Sequence, residues 1–378
     1  MGNMLYIITS LSVGGAQKAL LNLATSAFSD DYKPHVIALV DVKGMQQQFV
    51  DAGIPVQMLG LNRFKQLPWL LPRLLRLVRA IQPEFIHGWM HHGNVFATLA
   101  WMFAGCRPVL LWGMHHTPEK ATLERAQHAL VLKVGRWLSR FPQHIVYVSR
   151  RSMQRHAELG YVTTQAQVIA NGIPLRHLQQ AAEARASVCE ELGIPVNTCL
   201  VGSLTRYVPE KDIPNLLQAI TYYQTNGGDA HFLLAGEGMD AQHPVLPSLL
   251  ARLPAPENVH VLGVRTDAER LIAALDIATL SSQREAFPLF LAEAMAAGVP
   301  CVATDVGDIA EFVADTGLIV PAGDAQALAQ AWAALLQQSN VQRHALGQQA
   351  QQRVAACYSL DAVIQSYRQL LAPPSINS

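Results

Sequence analysis

Short apolar runs alternate with longer amphipathic segments along almost the whole chain. In the first half, the runs predict strands at residues 5–8, 35–39, 85–87, 109–112, 145–149 and 167–170. The pattern returns in the second half at residues 199–202, 231–235, 260–262, 277–280, 301–304 and 318–320. Strands that are apolar throughout and separated by helices indicate parallel sheets covered on both faces. The hydrophobic pattern therefore predicts an α/β protein.

A polar segment at residues 176–192 interrupts this pattern and predicts a domain boundary. The 378 residues also exceed the roughly 250–300 at which single hydrophobic cores stop growing. We predict two tandem doubly wound, Rossmann-like domains, residues 1–180 and 181–359. They should face a cleft at the carboxyl ends of their strands. The Ala- and Gln-rich tail predicts helices, of which 360–371 packs back on the first domain.

Composition narrows the classes of function. Lysine plus arginine equals aspartate plus glutamate at 28 each, so no global field favours nucleic acid. The five cysteines form no CxxC pair and have no histidine at zinc-finger spacing, which fits a reducing compartment. The apolar run at residues 4–11 lacks the flanks of a signal peptide, and no apolar run is long enough to span a membrane. These features predict a cytoplasmic protein.

The segment 66–80 allows two interpretations. It combines Trp69 and several leucines with Arg73, Arg76 and Arg79, which are spaced three apart. Such a helix can lie in the interface of an anionic membrane, as a peripheral contact. It can equally be a domain helix whose arginines face solvent.

The segment from Glu285 to Glu293 is the strongest candidate for a binding site. Pro288 suits the first turn of a helix and Gly298 suits the residue past its end, so Glu285 should lie on a loop and Glu293 inside the helix. The N–H groups of residues 289–291 would then favour a phosphate, while the carboxylates suit hydroxyl groups. The alternative is an ordinary amphipathic helix with solvated glutamates.

Two further loops follow predicted strands. After Gly202, Arg206 offers a planar fork and Lys211 a point charge, both suited to an anion, although two exposed cations are the alternative. In the first half, Gly14 and Gly15 follow the first strand and allow a ligand to approach the backbone closely. That turn is not the GxGxxG of dinucleotide-binding proteins.

Taken in order, these motifs resemble a known family. They are Gly14-Gly15-Ala16-Gln17, Val148-Ser149, Asn171-Gly172-Ile173, the loop 206–211, Gly236-Glu237-Gly238, residues 276–281, the Glu-x7-Glu stretch and residues 305–308. The chain resembles bacterial group 1 (family 4) retaining glycosyltransferases of the GT-B fold, from about residue 5 to residue 370.

The resemblance implies transfer of a sugar from a UDP- or GDP-linked donor to a hydroxyl, with retained anomeric configuration and neither a metal nor a cofactor. Arg206 and Lys211 would neutralise the donor diphosphate. Glu285 would contact the donor sugar and Glu293 the ribose. The implied donor-binding set is Gly14, Gly15, Gly202, Arg206, Lys211, Glu285, Phe287, Leu289, Phe290 and Glu293.

Histidines cluster after the strands of the first half. The resemblance implies that His115 supports the transition state by a hydrogen bond to the sugar, with His116 as a rival for that place. A metal cluster at His87, His91 and His92 is disfavoured because no carboxylate is near them in sequence and because the resemblance implies a metal-free reaction. Acceptor contacts are predicted at His91, His92, Asn94 and His116.

Three residues depart from the family pattern: Ala286, Pro288 and Asp308 stand where glycine is common. If position 286 needs a positive φ, the turn that carries Glu285 is shifted. The predicted function is a glycosyltransferase of cell-surface polysaccharide or glycolipid synthesis at the inner membrane face, with a lipid-linked glycan as one acceptor. The alternatives are a sugar-nucleotide 2-epimerase and a non-catalytic nucleotide-sugar binding protein.

Overall fold

The chain divides into two compact units. The computed structural model describes residues 2–42, 44–61, 67–118, 126–175 and 181–372. The first unit comprises Met1–Pro174 and Leu360–Ser378, and the second comprises Leu175–Ser359. Gln66 of the predicted segment 66–80, and residues 176–180 of the predicted polar helix, lie outside the described residues.

The first unit contains a seven-stranded parallel sheet in the order β3-β2-β1-β4-β5-β6-β7. Its strands are β1 (Gly2–Ile8), β2 (Tyr32–Ala38), β3 (Val56–Met58), β4 (Phe85–Trp89), β5 (Val109–Met114), β6 (His144–Tyr147) and β7 (Ala166–Val168). The six predicted strands are present, and β3 is an additional edge strand that the hydrophobic pattern did not indicate.

Helices cover both faces of this sheet. They are α1 (Gly15–Ala24), α2 (Gln46–Asp51), α3 (Leu67–Ile81), α4 (Met90–Phe103), α5 (Ala126–Leu138), α6 (Arg150–Glu158) and, from the end of the chain, α15 (Leu360–Leu371). Along β1, Tyr6 and Ile8 belong to one core and Leu5 and Ile7 to the other. Alternate residues of a strand point to opposite faces, so β1 is buried on both and has no polar side.

Helix α15 packs on the first unit although it follows the second in sequence. Its Tyr367 ring lies 5.8 Å from that of Phe28, and Arg368 Nε donates to Asp31 Oδ2 at 2.7 Å. The N–H of Leu360 donates to the carbonyl of Ile173 at 2.9 Å. Helix α15 is therefore part of the first core.

Helix α3 uses its apolar side for the core. Leu70, Leu74 and Val78 are buried against the first sheet, whereas Trp69 is exposed. The sequence alone allowed the leucines of the segment 66–80 to contact either a membrane or the protein core. The burial of Leu70, Leu74 and Val78 assigns this side of the helix to the core. Among the described residues, no helix is both long enough and apolar enough to cross a bilayer.

The second unit has a six-stranded parallel sheet in the order β10-β9-β8-β11-β12-β13. Its strands are β8 (Leu200–Leu204), β9 (His231–Ala235), β10 (Val259–Val261), β11 (Ile277–Leu280), β12 (Cys301–Thr304) and β13 (Gly317–Val320). Its helices are α7 (Ala181–Leu192), α8 (Ile213–Thr225), α9 (Leu246–Leu250), α10 (Ala268–Ala273), α11 (Leu289–Ala296), α12 (Ile309–Val313), α13 (Ala325–Leu336) and α14 (Asn340–Cys357).

Helices α11 and α14 approach each other closely at a glycine. A Cβ added to Gly347 of α14 would overlap the carbonyl oxygen of Gly298, just past the end of α11. Backbone atoms cannot rotate away as a side chain does. Gly347 therefore sets the distance between the two helices.

We expect Gly347→Ala to destabilise the second unit. Alanine favours a helix interior by about 1 kcal/mol over glycine, but the overlap should cost more, as overpacking costs about 1–3 kcal/mol even against movable side chains. Calorimetry should show a lower Tm. The exposed Gln348→Ala on the same helix is the control and should leave Tm nearly unchanged; a higher Tm for Gly347→Ala would contradict the close contact.

Candidate active site

A lysine and a glutamate form an ion pair where β8 and β11 end in the second unit. Lys211 Nζ contacts Glu285 Oε1, and their side chains are 20% and 8% exposed. Strands β8 and β11 are neighbours in the sheet, so the loops after them meet at its carboxyl edge. The structure thus brings together two predicted site residues that are 74 positions apart in sequence.

Hydrogen bonds tie these two loops together. Ser281 Oγ donates to the carbonyls of Lys211 and Asp212 at 2.9 and 3.1 Å. Gln283 donates from Nε2 to Asp212 Oδ2 at 2.9 Å and from its backbone to the Glu210 carbonyl at 2.9 Å. Asp212 has a left-handed φ of 48° and is the N-cap of α8. The cation is therefore held on a braced turn.

Glu285 is fixed by its surroundings. Ser282 Oγ donates to Glu285 Oε1 at 2.7 Å, and Thr304 Oγ1 donates to the Ser282 carbonyl at 2.5 Å. A Cβ at Gly307, whose φ is 61°, would lie 2.5 Å from the Glu285 carbonyl oxygen. Only glycine leaves room for this backbone approach.

Helix α11 begins and ends close to the predicted positions. It spans Leu289–Ala296, with Pro288 as its N-cap and Gly298 at φ 74° past its end. Glu285 lies on the loop before it and Glu293, half-buried, lies inside it. Ala286 does not have a positive φ, so alanine is compatible with this turn.

The first turn of α11 differs in one detail from the expectation. The N–H of Leu289 donates to the Phe287 carbonyl at 3.0 Å, so it is already used. Phe290 and Leu291 are the first-turn donors without a backbone acceptor among the described residues. The Phe287 ring packs against Phe312, with centroids 5.4 Å apart.

Gly202 has a packing role in the middle of β8. A Cβ there would lie 2.5 Å from both methyl carbons of Leu275. Its predicted donor contact stays a prediction, as does that of Arg206, which is exposed on the loop after β8.

The glycine turn of the first unit is tied to β4. Gly14 is the N-cap of α1, which begins at Gly15. Gln17 Nε2 donates to the Ser10 carbonyl at 3.2 Å, and Trp89 Nε1 donates to the Ala16 carbonyl at 2.9 Å. The turn is thereby held beside the last residue of β4.

His115 stacks on the same tryptophan. The His115 and Trp89 ring centroids are 3.9 Å apart at an interplanar angle of 21°. A Cβ at Gly113 would lie 2.9 Å from His115 Nε2 and 3.1 Å from His87 Nε2, so glycine makes room for both imidazoles. Glycine turn, tryptophan and histidine form one cluster at the carboxyl edge of the first sheet.

Burial keeps these two imidazoles neutral. It lowers the pKa of His115 to about 3, which the side chain of Asn171 partly opposes, and it lowers the pKa of His87 to about 3, with His115 adding to the effect. Neither ring nitrogen of His115 forms a hydrogen bond of standard geometry with the described residues, even though Asn171 is close enough to influence it. Both nitrogens are buried, close to Asn171 and to the His87 imidazole.

A second histidine pair fixes the tautomer of His91. His156 Nδ1 lies 2.8 Å from the Ser152 carbonyl, which only accepts, so Nδ1 carries the proton. In neutral His156, Nε2 is then an acceptor and receives Nε2–H of His91 at 2.9 Å. His91 Nδ1 is consequently an unprotonated acceptor, suited to a hydroxyl group. Burial lowers the pKa of His91 well below its usual value, and His156 adds to the effect.

The other residues predicted to contact the acceptor substrate differ in their surroundings. Asn94 is 1% exposed and its Nδ2 donates to the Gly113 carbonyl at 3.2 Å, and its acceptor contact stays a prediction. His92 lies edge-on to His128, at 6.2 Å between centroids. The His116 ring is 6.1 Å from that of His91. Among the residues described, no three His, Cys, Asp or Glu side chains converge as metal ligands.

Two family models match the two halves of the chain. Residues 13–177 match the model described as Glycosyltransferase Family 4, and residues 196–338 match that of Glycosyl transferases group 1. The chain belongs to this glycosyltransferase family. The predicted family is confirmed.

Individual relatives agree with this assignment. N-acetyl-alpha-D-glucosaminyl L-malate synthase of Bacillus anthracis is 29% identical over 180 residues, 47% of this chain, and the match spans about half (46%) of that protein. N,N'-diacetylbacillosaminyl-diphospho-undecaprenol alpha-1,3-N-acetylgalactosaminyltransferase of Campylobacter jejuni is 24% identical over 90% of this chain and 91% of its own.

Solved structures confirm the GT-B fold. Anabaena Alr3699/HepE, crystallised in complex with UDP-glucose, has a TM-score of 0.86 to this chain. The likeness covers 98% of this chain and 99% of that one, at 22% identity. At that identity the likeness shows the fold alone.

Sequence reasoning missed three residues that position the site: Trp89, His156 and Ser282. Trp89 is the last residue of a buried strand, a position that could have singled it out. His156 lies four residues after Ser152, on the same face of α6, but its partner His91 is 65 residues away in sequence. No local pattern pairs those two histidines.

We expect the first unit to lose stability as the pH falls below about 6.5. Burial holds the pKa of His87 and His115 near 3 and lowers that of His156 to about 4, whereas histidines of the unfolded chain titrate near 6.5. Between these values the unfolded chain binds more protons, so acid favours it, by up to about 1.4 kcal/mol per histidine and pH unit. Hydrogen exchange of the β1, β4 and β5 amides between pH 8 and 5 measures this.

His156→Gln removes one of these groups and should give a shallower dependence on pH, whatever its effect on absolute stability. The exposed His344→Gln of the second unit is the matched control and should keep the wild-type slope. Equal slopes in all three proteins, or protection that increases towards pH 5, would contradict the buried neutral histidines.

Proposed function

We propose that the protein is a retaining glycosyltransferase that moves a sugar from a UDP- or GDP-linked donor to a hydroxyl acceptor. Family membership and the ion pair of Lys211 with Glu285 support this proposal. In this pair, a cation that could bind a phosphate lies directly beside a carboxylate that could bind the hydroxyl groups of a sugar. A nucleotide sugar presents those two groups next to each other.

The second unit would bind the donor. Lys211 and Arg206 supply positive charge on the loop after β8. The N–H groups of Phe290 and Leu291, which have no backbone acceptor among the described residues, add the positive end of a helix. Breaking the bond between the anomeric carbon and the phosphate leaves negative charge on the departing oxygen. Fixed donors stabilise that charge without reorganising, which is the main electrostatic contribution expected of the site.

Glu285 and Glu293 would each bind different hydroxyl groups of the donor. Glu285 is braced by Ser282 and oriented towards Lys211, so it suits the sugar next to the diphosphate. Glu293 lies eight residues after Glu285, inside α11, and suits the ribose. Both roles rest on the family resemblance together with these positions.

His115 is proposed to donate or accept a hydrogen bond to the transferred sugar. With a pKa of about 3 it is a poor general base at neutral pH, so hydrogen bonding is the better assignment. Gly14 and Gly15 are proposed to contact the donor, as the resemblance implies. His91, whose Nδ1 can accept a hydrogen bond, is the preferred residue to bind the hydroxyl group of the acceptor substrate.

The acceptor is proposed to be a saccharide of polysaccharide or glycolipid synthesis, at the cytoplasmic face of the membrane. The names of the relatives support this setting. The Campylobacter jejuni relative acts on a diphospho-undecaprenol substrate, and the Anabaena structure holds UDP-glucose.

We predict that Lys211→Ala and Glu285→Ala each lower kcat/KM for transfer by about 10²-fold or more, because each removes a group that contacts the donor. UDP- and GDP-sugars would first be screened for thermal stabilisation of the wild-type protein, since a ligand that binds only the folded state raises Tm. Transfer would then be measured with the stabilising donor and glycolipid acceptors.

The exposed Lys33→Ala and Glu269→Ala are matched controls and should keep normal turnover. Near-normal kcat/KM in a folded Lys211→Ala or Glu285→Ala protein would remove that residue from the mechanism. Conversion of the donor to an isomer without any acceptor would instead identify an epimerase.

Transfer is expected to persist in excess EDTA. The proposed mechanism stabilises the leaving diphosphate with Arg206 and Lys211, a role that a divalent cation has in other transferases. Activity would be measured after dialysis against the chelator, with and without added Mg²⁺ or Mn²⁺. A strict requirement for either ion would contradict this part of the mechanism.

A further inference from the structure

Charge is distributed unevenly in this neutral chain. Residues 52–157 contain fourteen lysines and arginines but only three acidic residues, Glu84, Glu119 and Glu124, whereas the whole chain has 28 of each sign. Charge asymmetry of this kind indicates a partner with the opposite charge. The excess must lie within the first unit, which contains this entire range.

The structure places eight of these fourteen cations on one layer of helices. Helices α3, α4, α5 and α6 pack on the same face of the first sheet, through Leu74, Phe96, Leu132 and Met153 among others. They carry eight arginines and lysines and one acidic residue, Glu158. The opposite layer is formed by α1, α2 and α15, and its helices carry Asp51 and Asp361 against Lys18 and Arg368.

Large apolar side chains project outward from the same layer. Trp69 of α3 is 82% exposed, Trp137 and Leu130 of α5 are 54% and 55% exposed, and Phe103 at the end of α4 is 55% exposed. Helices α3 and α5 both pack against α4. Leu130, Val134 and Trp137 follow helical spacing, so they form one stripe along α5. Exposed aromatic and aliphatic groups on neighbouring helices indicate a binding surface rather than scattered residues.

Cations flank this apolar stripe. Lys133 and Arg136 are exposed on α5, and the guanidinium of Arg140 lies 5.3 Å from the centre of the Trp137 ring. On α3, Arg73 and Arg76 are exposed beyond Trp69. Long basic side chains can reach lipid phosphates while tryptophan and leucine enter the acyl boundary.

We propose that the outer surface of α3 and α5, defined by Trp69, Arg76, Leu130, Lys133 and Trp137, docks on an anionic phospholipid membrane. The apolar side of α3 is buried in the core, so α5 and the tryptophan of α3 provide the insertion and the cations provide the attraction. The assignment does not depend on the proposed catalysis.

A lipid surface fits these residues better than a nucleic acid. A polyanion would be bound by the cations alone and would gain little from exposed Leu130 and Val134. Tryptophan side chains favour the boundary between water and hydrocarbon because their rings are apolar with one polar N–H. The combination of both residue types on neighbouring helices is therefore explained by a membrane.

Co-sedimentation of the full chain with vesicles tests the proposal. Vesicles of phosphatidylcholine with about one third phosphatidylglycerol should pellet the protein, whereas vesicles of pure phosphatidylcholine should not. Raised salt should weaken binding, because the attraction of basic residues to anionic lipid falls off within a Debye length. Arg76→Glu with Lys133→Glu should lower the partition coefficient more than tenfold. Trp69→Ser with Trp137→Ser should lower it comparably and remove quenching by brominated lipids.

Matched substitutions on the second unit control for charge and exposed apolar area. Arg252→Glu with Val341→Ser, at two exposed positions, should bind vesicles like the wild type. Circular dichroism would establish that each variant is folded. The proposal is overturned if anionic vesicles do not pellet the wild type, or if both surface variants bind as it does. Binding to a DNA duplex that survives the tryptophan substitutions, without vesicle binding, would assign the surface to a polyanion instead.

Discussion

Parallel strand pairing is the constraint on which the rest of the structure depends. Every strand pair in both sheets is parallel, so each connection must cross a face of its sheet and return to the same starting edge. Helices consequently cover both faces, and polar groups are displaced to the loops at the strand ends. The ion pair of Lys211 with Glu285 and the stack of Trp89 with His115 both occur at such carboxyl edges. The candidate functional groups therefore lie at the strand ends, whereas the strands themselves form the apolar core.

Close backbone approaches make those edges rigid. Gly307 admits the Glu285 carbonyl, and Gly113 admits two imidazole rings. Met90 has a φ of 68° at the junction of β4 and α4, which a non-glycine residue rarely adopts. That strained residue lies between Trp89, which holds the glycine turn, and His91, whose tautomer His156 fixes. Tight packing sets these side chains in place before any ligand binds, which lowers the entropic cost of binding.

The sequence predicted features that depend on local pattern and could not predict those that depend on strand order. Apolar runs located the central strands, whereas Val56–Met58 is short, contains a glutamine and lies at an edge, so no such run marks it. Pro288 and Gly298 located α11 because caps act locally. Lys211 and Glu285 were identified separately, yet their contact follows from β8 lying beside β11, which no local pattern encodes. The position of Asn94 after a strand predicts a ligand contact, but its burial beside Gly88 follows from packing that no local pattern encodes.

The overall composition does not show that charge is distributed unevenly over the first unit. Equal numbers of acidic and basic residues indicate no net field, and only the assignment of helices to faces shows that α3 to α6 carry the positive excess. The same assignment changes the meaning of an amphipathic helix. Burial of Leu70, Leu74 and Val78 leaves α3 a single exposed tryptophan, while α5 retains an apolar stripe that its own core contacts do not use. Hydrophobic periodicity predicts that a helix has an apolar side. Whether the protein's own core or the surface of a partner covers that side depends on the fold.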